Sequence, residues 1–234
     1  SGGGKNFIIL RGVSGTGKSR LVSAVAKAVF GASAIDRPYL TIIEVRPDWT
    51  DGIPLLGHYD PIAGHYVRTP FIDAMFAAAD GETPVFVCLD EMNLARVEYY
   101  LADCLSAMES GNDLLLDTRD DGSVRARVRW PPNLFLFGTV NVDETTLRIS
   151  DKVLDRAQVI DTSDIELSSS LDKWLSEASA LDESERSQVK DVIEGTWVAL
   201  REVDAHFVFR TARPMALFVN EAKASSDGVL DVDG

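Results

Sequence analysis

Histidine and cysteine are scarce in this chain. Its 234 residues include three histidines (His58, His65 and His206) and two cysteines (Cys88 and Cys104). The histidines are scattered and match no zinc-ligand spacing, and the cysteines sit singly inside apolar segments. A metal cage of soft ligands is therefore not expected, and both thiols read as free and buried in a reducing compartment. No apolar run approaches the roughly eighteen residues of a membrane span. No signal peptide is visible either, so the expectation is a cytoplasmic protein without a membrane. Positive charge is also in short supply, with 23 Lys and Arg against 37 Asp and Glu, a formal net charge of −14. That balance argues against broad nonspecific binding of nucleic acid by this chain alone. The local exception is VRARVRW, residues 124–130, which puts Arg125, Arg127 and Arg129 on one face of an expected strand. Two readings stand for it: a sheet edge guarded by charge, or a basic hairpin that touches a polyanion or a neighbouring subunit.

What is present describes an ordinary globular chain, 45% hydrophobic and 26% charged, long enough for one α/β domain and a smaller companion. Strand and helix signals alternate, the pattern of a parallel sheet covered on both faces. NFIILRG (6–12), YLTIIEV (39–45), PVFVCLDE (84–91), NLFLFGTVN (133–141) and AQVIDT (157–162) read as five strands. SRLVSAVAKAVF (19–30) and FIDAMFAAAD (71–80) read as helices. The Gly-, Pro- and aromatic-rich stretch 46–70 is long for a connection and reads as an insertion. Residues 114–130 look like a β-hairpin with its turn near Asp120, Asp121 and Gly122. After about Ile165 the pattern becomes polar and helical. The expected division is an α/β unit over 5–165 and a small helical unit over 166–234, with no internal repeat.

Two stretches carry chemistry. GVSGTGKS, Gly12 to Ser19, satisfies G-x-x-x-x-G-K-[ST]. A chance match in a chain this long is roughly one in a hundred from average residue frequencies. The context of a buried strand before and an Ala-rich helix after strengthens it. Gly12, Gly15 and Gly17 let successive backbone N–H groups turn into one hollow, at a helix N-terminus that favours anions. Lys18 is suited to reach β- and γ-phosphates, and Ser19 to place its hydroxyl on Mg²⁺. Gly12, Val13, Ser14, Gly15, Thr16, Gly17, Lys18, Ser19 and Arg20 are thus the candidate nucleotide-binding residues.

The second stretch, VFVCLDEMN, delivers Asp90 and Glu91 to the C-terminal end of an apolar strand, where open parallel sheets bind ligands. An unpaired carboxylate there is costly, but a magnesium nucleotide would compensate it. Asp90 is the candidate for the magnesium shell with Ser19, and Glu91 for polarising an attacking water. The alternative is that both acids cap the next helix.

Together, the P-loop, the Asp-Glu strand end, an Asn ending the fourth strand, an Arg one helix later and a helical C-terminus resemble an AAA+ ATPase. Residues 45–71, 89–111 and 131–161 look like its McrB-type, dynein-related branch. The resemblance covers roughly Asn6 to Asp164 well and the C-terminal helices loosely. It implies a three-layer α/β/α fold with a mostly parallel five-stranded sheet and a helical lid. It also implies Mg²⁺, ATP or GTP as substrate, and a ring, usually hexameric, of like subunits. Asn141 matches the sensor-1 Asn that helps hold the attacking water. Arg156 matches the arginine finger that serves a neighbour's site in trans, against the alternative of a surface ion pair with Asp155 or Asp151. Arg213 matches the lid's sensor-2 Arg, with Arg210 a close competitor.

One departure matters. The McrB signature reads Asn-Thr-x-Asp after the strand, whereas this chain has Asn141-Val142-Asp143-Glu144. ATP and GTP both stay open, with the superfamily base rate favouring ATP. The expected activity is NTP hydrolysis by a ring motor of a DNA restriction or defence system. Such a motor implies an McrC-like or other effector partner and DNA reached through other domains. The alternative is a MoxR-like, nucleotide-gated module acting on a protein partner.

Overall fold

The computed structural model describes residues 6–31, 39–119, 121–142, 147–162, 167–201 and 209–225. Five strands form one all-parallel sheet: β1 (Phe7–Gly12), β2 (Leu40–Glu44), β5 (Val85–Asp90), β8 (Leu134–Asn141) and β9 (Gln158–Asp161), in the spatial order β2-β5-β8-β1-β9. All five expected strands are present, each trimmed by a residue or more at its ends.

Alternation within these strands explains why both faces of the sheet are covered. Phe7, Ile9, Val85, Val87, Leu89, Leu134, Leu136 and Val140 face one cluster, which holds α3 (Pro70–Asp80) through Phe71, Ile72 and Met75. Leu10, Phe86, Cys88 and Phe137 face the other, against Val22 and Ala26 of α1 (Lys18–Phe30). This α/β/α layering needs apolar residues on both parities of each central strand, and the sequence supplies them. Helix α3 starts sharply because Thr69 accepts a hydrogen bond from Ile72 N at 3.2 Å and Pro70 opens the first turn.

The long connection after β2 is ordered by its own contacts. It holds α2 (Ile53–Leu56) and a small hairpin of β3 (His58–Asp60) and β4 (His65–Val67). Tyr66 donates its hydroxyl proton to the Leu56 carbonyl, and its N–H donates to Asp121 Oδ2 at 2.7 Å. Helices α4 (Val97–Tyr100) and α5 (Ala102–Ser110) follow β5, and α6 (Asp151–Leu154) precedes β9. The expected basic hairpin pairs β6 (Asp113–Leu115) with β7 (Arg127–Arg129), antiparallel. Arg125 lies before β7 rather than in it.

The chain falls into two compact units: 1–12 with 18–161, and 13–17 with 162–234. The second contains α7 (Ser168–Ser176), α8 (Glu183–Arg201) and α9 (Phe209–Ser225) around a core including Leu171, Leu175, Ile193 and Ala216. Among the described residues no helix is long and apolar enough to cross a membrane.

Candidate functional site

Strand order sets the position of the site. β1 and β8 are neighbours, with Gly12 opposite Asn141 at their C-terminal ends. From there the chain departs in opposite directions, β1 toward β2 and β8 toward β9. The crevice at such a switch point is where parallel sheets accept ligands. β5 lies on the other side of β8 and ends at Asp90.

At these strand ends the polar groups are bonded to one another. Ser19 Oγ donates to Asp90 Oδ1 at 2.5 Å, and Thr139 Oγ1 donates to the same oxygen at 2.6 Å. The N–H of Glu91 in turn donates to Thr139 Oγ1 at 2.8 Å. Asn141 Nδ2 donates to Glu91 Oε1 at 3.1 Å. Lys18, 6% exposed, donates from Nζ to the Gly12 carbonyl at 3.0 Å. That carbonyl also accepts from Val142 N at 3.3 Å.

Glu91 does not continue the strand. Its backbone is left-handed, φ 51 and ψ 46, a conformation that costs a side-chain-bearing residue about 1–2 kcal/mol. The bond from its N–H to the buried Thr139 hydroxyl helps hold it there, and the turn re-aims the carboxylate toward Asn141. Strained residues of this kind persist where the surroundings over-determine them. The capping alternative fails for Glu91: at the N-cap position of the 3-10 turn Met92–Leu94 it makes no side-chain cap bond.

Cys88, two residues before Asp90, has its thiol pushed up to about 12 by burial first and the Asp90 carboxylate second. Cys104 is raised by burial as well, with Asp103 adding to it. Both are free and buried.

The other anticipated residues are placed as follows. Gly15 and Gly17 have φ of +86 and +81, the left-handed turns the loop sequence calls for, and Thr16 N meets Val13 O at 3.4 Å. Thr16 Oγ1 lies 3.4 Å from Thr162 Oγ1. Ser14 and Arg20 are exposed. Arg156, with a side chain 25% exposed, pairs with Glu109 of α5 and donates to the Lys152 carbonyl. Its ion-pair partner is thus Glu109, not Asp155 or Asp151. Arg213 is exposed on α9 in the second unit, and the Arg210 side chain lies outside the described residues, as do Asp143 and Glu144. Arg125 pairs with Asp80, while Arg125, Arg127 and Arg129 line a groove of about 440 Å³ with Trp130.

Two residues bonded into the site are not singled out by its sequence motifs. Thr139, 1% exposed, is the lone hydroxyl in an otherwise apolar strand, two positions before Asn141. That placement was a usable signal. Asn93, 2% exposed, donates from Nδ2 to the Asn141 carbonyl at 2.9 Å and to the Leu147 carbonyl at 3.4 Å. Nothing local distinguishes it from a turn asparagine.

A scan against protein-family models and a search of curated proteins each return no match for this chain.

Proposed function

We propose that this chain is a Mg²⁺-dependent nucleoside triphosphatase of the AAA+ kind, McrB-type branch, working in a ring of like subunits. One observation carries the reading: Ser19, Asp90, Glu91, Thr139 and Asn141 converge at the C-terminal ends of neighbouring parallel strands. They do so in a chain whose β1 runs into GVSGTGKS. Chance can supply a P-loop sequence. It does not readily supply that sequence together with a hydroxyl–carboxylate pair and an amide-held glutamate.

The donor set suits a hard cation. Ser19 and Asp90 offer oxygen only, and no cluster of three His, Cys, Asp or Glu that could hold a metal occurs among the described residues. The protein would therefore supply few ligands, as is usual for Mg²⁺ shared with substrate phosphates. Bound there, Mg²⁺ would neutralise charge on β- and γ-phosphate oxygens. Lys18 would exchange the Gly12 carbonyl for phosphate oxygens, as the sequence GVSGTGKS implies.

Glu91 would accept a proton from water as the new P–O bond forms. The bond to the β-phosphate bridging oxygen breaks, releasing nucleoside diphosphate and inorganic phosphate. Asn141 would hold the Glu91 carboxylate and add no negative charge of its own. Arg156 would stabilise transition-state charge in a neighbour's site. An McrC-like effector, DNA reached through other domains, a cytoplasmic setting and ATP as the favoured substrate complete the proposal.

Hydrolysis of ATP and of GTP, followed against protein concentration, tests it. Specific activity should rise with concentration, because the finger comes from another subunit. Glu91→Gln should lower turnover by about 10²–10⁴-fold, the usual worth of a general base, with nucleotide affinity retained. A Glu91→Gln protein that turns over like the parent would sink the mechanism.

A further inference from the structure

Asn93 is buried, sits outside the group that would touch nucleotide, and is bonded in an unusual way. Its side-chain nitrogen donates to two main-chain carbonyls, those of Asn141 and Leu147, at 2.9 and 3.4 Å. The main-chain carbonyl of Asn93 accepts from Leu147 N at 3.2 Å. Carbonyl oxygens only accept, so the amide can be oriented one way alone. In that orientation Oδ1 is buried and has no hydrogen-bond partner among the described residues. The amide thus joins the β5 turn to main chain 48 and 54 residues away along the sequence.

Three segments meet at this side chain. Asn93 lies two residues beyond Glu91 in the turn that ends β5. It holds the main chain of Asn141, whose side chain holds the Glu91 carboxylate. It also brackets the Leu147 peptide from both sides, four residues before α6 begins. Val153 of α6 is fully buried, Ile149 and Leu154 pack on the same core, and Arg156 N bonds the Val153 carbonyl at 3.1 Å. The stretch from Leu147 to Arg156 is therefore anchored at its start by Asn93 and at its end by buried packing.

We infer that Asn93 is a positioning residue that ties the Glu91–Asn141 pair to the segment carrying Arg156. The geometry of a subunit's own hydrolytic site and the reach of its arginine into the next site then depend on one buried amide. This rests on the shared-site reading proposed above.

Mixing subunits tests it. Arg156→Ala subunits keep an intact hydrolytic site, and Glu91→Gln subunits keep Arg156, so their mixture should hydrolyse nucleotide well above either alone. A donor carrying both Glu91→Gln and Asn93→Leu keeps similar volume but has no N–H to donate. It should bind nucleotide with unchanged Kd, yet restore hydrolysis about tenfold less well. Asn93→Ala in the same donor should behave alike, which separates lost donors from altered packing. In an otherwise unaltered chain, Asn93→Leu should lower kcat with KM unchanged.

Equal restoration by donors with and without Asn93 overturns the inference alone. So does a loss of restoration that merely follows a loss of nucleotide affinity. No hydrolysis in the first mixture removes the shared-site reading, and this inference with it.

Discussion

Replacing Thr139 with Val removes one oxygen and keeps the shape of the side chain. In the structure that oxygen donates to Asp90 Oδ1 at 2.6 Å and accepts from Glu91 N at 2.8 Å, in a residue 1% exposed. Losing the bond to the Asp90 carboxylate costs about 1.5–3 kcal/mol, and stranding the Glu91 N–H about 1–3 kcal/mol. The two share one atom and do not add fully, so a net loss of about 2–4 kcal/mol is expected. Thr139→Ser is the control, because it keeps the hydroxyl and deletes a methyl group, worth about 1 kcal/mol with its small cavity. Urea unfolding of the parent and both variants measures the difference directly. In thermal melts the Val variant should fall by roughly 5–15 °C, at about 2–4 °C per kcal/mol for a chain this size. Turnover should fall with it, because the left-handed Glu91 loses the bond that helps hold it. If Val costs no more than Ser, Thr139 does not pin the Asp90–Glu91 turn and the account of that turn is wrong.

Other outcomes follow from packing and burial. Gly138 lies against Met92, and a Cβ added there would collide with the Met92 sulfur. Gly138→Ala should therefore cost about 1–3 kcal/mol. Combining it with Met92→Ala should cost less than the sum of the single changes. Additive losses in that double-mutant cycle would deny the contact. The Cys88 thiol is raised from 9.0 to about 12 by burial and Asp90, and Cys104 also lies upward. Neither should react with a disulfide reagent at pH 8 in the folded protein, and both should react in denaturant. The folded state keeps the Cys88 proton between pH 9 and 12, where the unfolded chain releases it. Stability should thus fall as pH rises through that window, and rapid native-state labelling would contradict the assignment.

Much of the fold was legible because its signals are local. Five apolar runs and an Ala-rich helix can be read without knowing their neighbours, and each recurs in the structure. The 114–130 hairpin was legible too, although Arg125 falls outside its strand because β7 spans only Arg127–Arg129. The sequence predicts Glu91 as the last residue of an apolar strand. It leaves that strand because a hydroxyl 48 residues later captures its N–H, and no local pattern encodes such a bond. Local sequence offers Arg156 the neighbours Asp151 and Asp155 as ion-pair partners, yet it pairs with Glu109 on another helix.

What the sequence alone determined is therefore the inventory: which segments form strands and helices, and which residue types stand at strand ends. Backbone periodicity and the chemistry of Gly, Lys, Asp and Glu act over a few residues, so the linear chain suffices. Only the tertiary structure decided the strand order, the meeting of Gly12 with Asn141, the bridge of Thr139 between Asp90 and Glu91, and the buried bracket of Asn93. Those depend on parallel pairing between distant segments and on which polar atoms burial leaves in need of partners. Hydrogen-bond demand in a dry interior is satisfied by whatever the fold brings near, however far apart along the chain.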